Sequence, residues 1–447
     1  MSGRGSLIIL NGFMIFMAET MFDNTDPYLL TATEALALIK SRKLSALEWV
    51  ESCRERIRSR EPDIQAWACL NDSIIEETKS QARRGFAIPV GVKDIIDVLG
   101  LPTMMGANFH DPAPAMREGG SVALMRDSGC VFMGKTVTTE LGHRHPGPTR
   151  NPRNLAHTPG GSSSGSAAAV ADFMVPLCLG TQTTASVIRP AAFCGVIGYK
   201  PTYGDFDKTG VLANAPSMDS LGIIARSIED LCLLRGMLLD EPHKTVKANN
   251  LSKVRFALLK VSPWEKADEE TRHLIEKFID EIVAKGAKRI DIDLEHELKR
   301  LMELHRLISG FEFRRSIAFE RTRHLDQLSA ILREGRLADG QELDIRGYQA
   351  AIQETALLRT RLAEVFREVD IIVSPSASGP APLGLESTGD AVFSTAWSLA
   401  GNPAITLPLF VATSGLPIGV QFFADMAQDD MLLATSKSVF DVFGSPV

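Results

Sequence analysis

The chain has 447 residues, of which 45% are hydrophobic and 23% charged, a composition that excludes fibrous and extensively disordered classes. Its 48 Lys and Arg residues and 55 Asp and Glu residues give a net charge of −7. The chain therefore lacks the excess of basic residues that is typical of nucleic-acid-binding proteins. The six cysteines are scattered singly without a CxxC pair, which disfavours disulfides or structural zinc and favours a reducing, cytoplasmic location.

Residues 1–24 are predicted to be an N-terminal extension that precedes the first globular pattern. Its apolar run, Leu7–Met17, is shorter than the roughly 20 residues needed to cross a bilayer, so no membrane span is expected. A dispensable or artefactual extension is favoured, because Met17 and Met21 both offer a later start. An interfacial or partner-binding segment and an export signal stay open as alternatives.

Residues 25–447 are predicted to form a single domain that begins with two helices. Thr31–Glu34 has the pattern of a helix N-terminus, and Ser45–Glu48 has the spacing of a capping box. The second helix is predicted to run to about Arg60 and to stop before Pro62, since proline interrupts helical hydrogen bonding.

Strands and helices are then predicted in alternation. The predicted strands are Ile88–Asp97, which is expected to be buried and to leave a turn, Cys130–Met133, Val175–Leu179 and Asp370–Pro375. Gly119–Arg126 is predicted as a short helix, residues 142–166 as a loop, and Ala167–Val170 as the start of a helix of small residues. In the section 268–369, apolar residues recur at helical spacing. We therefore predict an α/β/α layered domain around a mixed twisted sheet, with a helical middle section.

Two common motifs match the sequence but not their structural context. Gly129–Thr136 fits the phosphate-loop pattern GxxxxGKS/T, but its central residues have the character of a strand rather than a loop. Gly161–Gly165 fits the GxSxG pattern of α/β-hydrolases, which requires a preceding strand and a late histidine. No strand is predicted before it, and no histidine follows His324. Both interpretations are rejected.

Metal binding is also disfavoured. His143 and His145 form an H-x-H pair, but no carboxylate motif completes a ligand set. We expect neither a metal ion nor an organic cofactor.

Two segments remain as candidates for catalysis. Gly160–Ser166 has the composition of a flexible linker, but it runs directly into the predicted helix at Ala167. Lys93 lies in a strand that should be buried, and burial lowers the pKa of a lysine. Lys93 is either one half of a structural ion pair with Asp94 or Asp97, or a general base that activates a serine.

At these segments the sequence resembles the amidase signature family, over most of residues 28–440. The similar segments are Gly91–Asp94 (its catalytic-lysine strand), Thr158–Ser166 (its Gly/Ser loop), Leu179–Gly195 (its nucleophile segment), Gly198–Gly204, and the closing strands Gly401–Pro408 and Gly415–Gln421.

The resemblance implies a Ser-Ser-Lys triad, with Ser186 as the nucleophile, Ser162 as the bridging serine and Lys93 as the base. Neutral Lys93 would take a proton through Ser162, whose hydroxyl can donate and accept at once. Ser186 would then attack the carbonyl to form an acyl-enzyme that water hydrolyses. The same relay in reverse would protonate the leaving nitrogen.

The resemblance also implies an oxyanion and substrate-binding set formed by Thr183, Thr184 and Ala185 together with Gly160 and Gly161. Thr184 and Ala185 stand where the family usually has Gly-Gly or Ala-Gly. Backbone donors need no particular side chain if φ is negative there. We therefore expect an intact oxyanion hole, with the Thr184 side chain narrowing or polarising the pocket.

The function that the resemblance implies is hydrolysis of the C–N bond of a small or aryl amide, with anilides, carbamates and esters as further substrates. The expected partner is a small-molecule amide, with no nucleic acid and no membrane; a homodimer stays open. The alternative is the amidase-like subunit of a tRNA-dependent amidotransferase, which the net acidic charge and the lack of a basic stripe disfavour.

Removal of residues 1–20 should leave activity and melting temperature nearly unchanged, because untethered termini usually tolerate truncation. Thermal unfolding and an activity assay of the truncated protein test this expectation. A fall in melting temperature of more than a few degrees would show that the extension packs on the body.

Overall fold

The computed structural model describes residues 26–242 and 244–446. The predicted extension, residues 1–24, lies outside them, and the domain boundary at residue 25 remains a prediction.

One mixed sheet of 11 strands forms the centre of the described structure. In chain order the strands are Trp67–Leu70 (β1), Ile88–Lys93 (β2), Cys130–Thr136 (β3), Leu177–Gln182 (β4), Ile197–Lys200 (β5), Ser220–Ala225 (β6), Arg255–Leu258 (β7), Lys288–Arg289 (β8), Ile371–Pro375 (β9), Ala404–Val411 (β10) and Pro417–Phe423 (β11). Their order across the sheet is β1-β3-β2-β4-β6-β5-β10-β11-β9-β7-β8. β2 runs parallel to β3 and β4, and β7 runs parallel to β8 and β9. The other pairs are antiparallel.

Helices surround this sheet. In chain order they are Ala32–Lys40 (α1), Ala46–Ile64 (α2), Ile74–Ala82 (α3), Gly120–Asp127 (α4), Ser164–Ala171 (α5), Ile188–Cys194 (α6), Ile228–Leu238 (α7), Glu269–Ala284 (α8), Glu295–Ser316 (α9), Ala318–Arg323 (α10), Leu337–Asp339 (α11), Ile345–Val365 (α12), Val392–Ala400 (α13) and Asp429–Phe443 (α14). Strands β2, β3, β4 and β6 are buried at every position, as expected for central strands covered on both faces. The predicted α/β fold with a helical middle section is confirmed, the short strand β8 being the exception within that section.

None of the helices in residues 26–242 and 244–446 is both long and apolar enough to cross a membrane.

Both predicted helix starts are confirmed as capping boxes. Thr31 accepts a hydrogen bond from the backbone of Glu34, whose carboxylate accepts one from the backbone of Thr31. Ser45 and Glu48 make the same reciprocal pair. These bonds satisfy backbone N–H groups that have no partner within the helix.

The predicted end of α2 before Pro62 is wrong, because the helix continues to Ile64. Pro62 stands in the last turn, so the hydrogen bond that it cannot donate is lost only at the end of the helix, and the burial of Ile64 compensates. The helix ends at Gln65, which adopts a left-handed conformation. The carboxylate of Glu61 then accepts hydrogen bonds from the backbone of Ala66 and Trp67, at 2.9 Å each.

The predicted loop 142–166 ends too late, because α5 begins at Ser164 rather than at Ala167. Serine usually disfavours a helix by competing for backbone groups. Here the Ser164 hydroxyl donates to the carbonyl of Gly160, one turn earlier, at 2.7 Å. The Ser166 hydroxyl bonds Thr136 Oγ1 at 2.7 Å. Both hydroxyls are thus satisfied inside the protein, which allows all of α5 to be buried.

A buried carboxylate holds α1 against α7. Asp230 is fully buried and accepts hydrogen bonds from the backbone N–H groups of Ala32 (2.7 Å) and Thr33 (2.9 Å). These donors lie in the first turn of α1, where the helix itself offers no acceptor. A third bond comes from the Thr33 hydroxyl at 3.0 Å.

Asp230→Ala should therefore lower the free energy of unfolding by about 2–3 kcal/mol, because it strands buried donors that were bonded to a charged group. Asp280→Ala is the matched control, since Asp280 is exposed on α8. It should change stability by no more than about 0.5 kcal/mol. Urea unfolding measures both, and equal stabilities would contradict the role given to Asp230.

Candidate active site

The central feature of the site is a lysine amine buried between two hydroxyls. Lys93 ends β2 and its side chain is fully buried. Its Nζ donates to Ser162 Oγ at 2.6 Å and to Thr181 Oγ1 at 2.7 Å. Burial lowers the pKa of Lys93 from 10.5 to about 7, against the opposing effect of the negative charge of Asp219. The amine is therefore partly unprotonated at neutral pH and can accept a proton.

The structure does not form the ion pair that was the alternative explanation for Lys93. Asp94 pairs instead with Lys135, at 3.1 Å between Oδ1 and Nζ. Lys135 Nζ also donates to the carbonyl of Pro102 and the hydroxyl of Thr103. Within the described part of the chain, Lys93 makes no ion pair.

The phosphate-loop match, Gly129–Thr136, is not a loop. Its residues Cys130–Thr136 form strand β3, in agreement with the strand character predicted from the sequence.

Ser162 lies in the loop before α5 and approaches the turn that carries Ser186. Ser162 is 1% exposed, and its carbonyl accepts a hydrogen bond from the backbone of Thr139. The Gly161–Ser162 peptide bond is cis. The backbone N–H of Ser163 donates to the carbonyl of Ser186 at 3.2 Å. The structure thus brings the loops of Ser162 and Ser186 together, although no hydrogen bond between their hydroxyls occurs among the described residues.

Gln182 shapes the turn between β4 and α6, which contains Ser186. Its side-chain oxygen accepts hydrogen bonds from the backbone N–H groups of Val187 (3.0 Å) and Ile188 (3.1 Å). Its side-chain nitrogen donates to Ser398 Oγ at 3.2 Å. Gln182 therefore supplies the first turn of α6 with the acceptor that an N-cap residue usually provides.

Contacts from distant segments hold the stretch Thr183–Thr184. The Thr183 hydroxyl donates to Asp219 at 2.6 Å. The Thr183 carbonyl lies 3.0 Å from His305 Nε2, which must be the donor because a carbonyl can only accept. The Ser398 hydroxyl donates to the carbonyl of Thr184 at 2.6 Å. Both carbonyls are therefore turned toward fixed partners.

The backbone N–H groups of this stretch have no such partners. In the described residues, no acceptor is bonded to the backbone N–H of Thr184, Ala185 or Ser186. None of the three residues has a positive φ, which meets the condition under which Thr184 and Ala185 can replace the family's usual glycines. The oxyanion hole itself stays a prediction. Unpaired donors in a row beside a nucleophile could stabilise a developing oxyanion.

Gly160 and Gly161 lie directly before Ser162. Gly160 has φ +82°, and a Cβ there would come within 2.9 Å of Pro190 Cα, so this position requires glycine. The carbonyl of Gly161 accepts a hydrogen bond from Arg189 Nη2 at 2.7 Å. A substrate-binding role for either glycine stays a prediction.

Ser186 lies in the wall of a small cavity. This inner cavity has a volume of about 30 Å³, and its wall includes Thr183–Ser186 and Phe313. A larger outer cavity of about 490 Å³ lies beside it. The two share the residues His143, Arg144, Thr184 and Arg336. Thr184 thus stands where its side chain can control access to Ser186.

Neither histidine in these walls is basic enough to accept a proton at neutral pH. Burial lowers the pKa of His305 to about 3 and that of His143 well below its usual value. The positive charges of Arg336 and Arg144 act in the same direction on both. Across residues 26–242 and 244–446, no group of three His, Cys, Asp or Glu side chains is placed to hold a metal ion.

Several of the contacts described above were not predicted from the sequence. Thr181 and Gln182 fall inside the nucleophile segment and could have been inferred from their proximity to Ser186. No local sequence pattern identifies the other three contact residues, because the tertiary fold alone brings them to the site. These residues are Asp219, His305 and Ser398.

Comparison with known proteins agrees with this geometry. The profile of the family described as Amidase matches residues 48–433. A curated relative, one of the subunits of the glutamyl-tRNA(Gln) amidotransferase of Endomicrobium trichonymphae, is 27% identical over 91% of this chain and 95% of its own length. A solved amidase superposes with a TM-score of 0.83 at 26% identity, covering 92% of this chain and 99% of that protein. The solved structure of the equivalent amidotransferase subunit from Thermotoga maritima gives a TM-score of 0.77 at 26% identity, covering 95% and 96%.

The family match extends over most of the chain and includes the segments of Lys93, Ser162 and Ser186. The chain therefore belongs to the amidase family, and it is a hydrolase that acts on carbon–nitrogen bonds.

Proposed function

We propose that this enzyme hydrolyses a small or aryl amide through an acyl-enzyme on Ser186, with Ser162 as the bridge and Lys93 as the base. The observation that carries the proposal is the Lys93 amine, which is fully buried, has a pKa of about 7 and lies 2.6 Å from Ser162 Oγ. A lysine in this state can accept a proton at neutral pH without help from histidine.

In the first step, Ser186 Oγ attacks the amide carbonyl and loses its proton to Ser162. Ser162 passes its own proton to Lys93 Nζ. The N–H that Lys93 donates to Thr181 keeps the amine oriented during the transfer. The negative charge on the carbonyl oxygen is stabilised by the unpaired backbone N–H groups of Thr184, Ala185 and Ser186.

In the second step, the tetrahedral intermediate collapses. The proton returns from Lys93 through Ser162 to the leaving nitrogen, so that an amine departs and the acyl group remains on Ser186. Water then attacks the acyl-enzyme, and the same relay restores the Ser186 hydroxyl. Anilides, carbamates and esters fit this scheme because they share the acyl-transfer step.

The curated relatives favour a second candidate. The relative from Endomicrobium trichonymphae is named as part of a glutamyl-tRNA(Gln) amidotransferase, and this chain could likewise be the amidase component of such an assembly. The net charge of −7 offers little attraction for tRNA. Turnover of simple amides by the purified chain alone would support the first candidate. Turnover that requires partner subunits and charged tRNA would support the second.

Ser186→Ala and Lys93→Met should each reduce amide turnover by about 1,000-fold or more, and the double variant should be about as inactive as either single one, because the relay acts as a unit. Steady-state assays measure the rates, and circular dichroism checks the fold. Ser59→Ala is the control, since Ser59 is exposed on α2, and it should retain full activity. Substantial turnover by Ser186→Ala would exclude it as the nucleophile.

The value of kcat/KM should rise with pH and level off above an apparent pKa near 7, because only unprotonated Lys93 accepts a proton. The negative charge of Asp219 raises the pKa of Lys93. Asp219→Asn should therefore move the rising limb to lower pH. The asparagine oxygen can keep the bonds from the backbone of Asn214 and Ala215, and its amide can donate to the Thr183 hydroxyl. A pH profile of both proteins measures the shift. Movement to higher pH, or no dependence near 7, would contradict the assignment of Lys93 as the base.

A further inference from the structure

The walls of the two cavities beside Ser186 are rich in positive charge. Arg144 and Arg336 line both the inner and the outer cavity. Arg144 lies in the loop after β3, and Arg336 ends the single-turn π-helix Leu332–Arg336. Arginine stays protonated in proteins, so both side chains carry a full charge.

Neither arginine side chain forms a hydrogen bond or an ion pair within the described residues. The Arg336 side chain is half-buried, whereas Arg144 is exposed at the cavity wall. Burial, together with the positive charge of Arg144, lowers the pKa of Arg336 to about 10. The two guanidinium groups therefore repel each other across the cavity. This differs from Arg306 in the same wall, which pairs with Asp339 at 2.6 Å and with Glu342.

The other groups around the cavity do not neutralise this charge. His143 and His305 are neutral because their pKa values lie below the usual range. Asp339 and Asp219 both attract Arg336. Asp339 is already paired with Arg306, and Asp219 accepts hydrogen bonds from Thr183, Asn214 and Ala215 rather than from Arg336. Glu334 lines the outer cavity, but its side chain is exposed and no ion pair joins it to either arginine in the described part of the chain.

Unpaired charges that are partly withdrawn from water destabilise a protein, unless a ligand pairs with them when it binds. The guanidinium fork matches a carboxylate with two parallel hydrogen bonds. Ser186 lines the inner cavity together with both arginines, so one small molecule can contact all three residues.

We infer that the physiological substrate is an amide that also carries a carboxylate, and that Arg144 and Arg336 bind this carboxylate while Ser186 attacks the amide carbonyl. The inference rests on the proposed function and adds the charge class of its substrate. A cationic amide is disfavoured by the same two residues, and a neutral amide leaves them unpaired.

Paired substrates of similar shape test the inference. The probes are 4-carbamoylbenzoate, neutral 4-methylbenzamide and cationic 4-(aminomethyl)benzamide, with succinamate and butyramide as an aliphatic pair. We expect kcat/KM for each carboxylated amide to exceed that of its neutral partner by at least about tenfold. The cationic amide should be the poorest substrate.

Arg336→Met and Arg144→Met should each lower kcat/KM for the carboxylated amides relative to that for their neutral partners by about tenfold or more, mainly through KM. Arg333→Met is the matched control, because Arg333 lies in the same π-helix but is exposed and outside both cavity walls. It should change neither class. Either cavity variant suffices if the other does not fold.

Binding to the Ser186→Ala protein tests carboxylate recognition by the arginines separately from amide hydrolysis. Calorimetry should show 4-carbamoylbenzoate binding that Arg336→Met weakens and Arg333→Met does not. Equal turnover and equal binding of neutral and carboxylated amides would overturn the inference and leave the proposed function intact. Absence of turnover for every amide would contradict the proposed function, and the binding measurement alone would then decide whether the arginines select a carboxylate.

Discussion

The burial of one amine determines the rest of this site. Lys93 Nζ is buried away from solvent, and its hydrogen-bond partners are the neutral hydroxyls of Ser162 and Thr181 rather than a carboxylate. A shift of its pKa from 10.5 to about 7 corresponds to roughly 5 kcal/mol against the charged form. Only a rigid scaffold can maintain such a position. β2 provides it, since it pairs along its length with β3 and at residues 90–92 with β4, and is buried at each residue.

The helical middle section, together with α13 after it, holds the backbone near Ser186. His305, on α9, holds the Thr183 carbonyl, and Ser398, on α13, holds that of Thr184. The sheet therefore positions Lys93, the proposed base, whereas helices far away in sequence orient the backbone around Ser186, the proposed nucleophile. Arg336 comes from the same section. Variation in these helices could alter which substrate fits without disturbing Lys93.

Local sequence was sufficient to single out Lys93, because a charged residue interrupts a strand that should be buried. Ser162 and Ser186 were assigned through the resemblance of their segments to the amidase signature family, and their roles stay proposals. Contacts such as Thr183 with His305, separated by 122 positions, and Thr184 with Ser398, separated by 214, leave no local pattern. The predicted end of α2 before Pro62 and the predicted start of α5 at Ala167 were wrong for a related reason, since burial and side-chain hydrogen bonds outweighed intrinsic propensity.

Gln182 has an effect on this site that reaches beyond the shape of the turn. The amide that caps α6 has no proton to gain or lose, so the hydrogen bonds to Val187 and Ile188 persist from acid to alkaline solution. A carboxylate could make the same two bonds, but it would place a negative charge one residue from Thr181 and so favour the protonated form of Lys93. The neutral Gln182 amide thus fixes the turn that carries Ser186 without adding a charge that would change the pKa of Lys93.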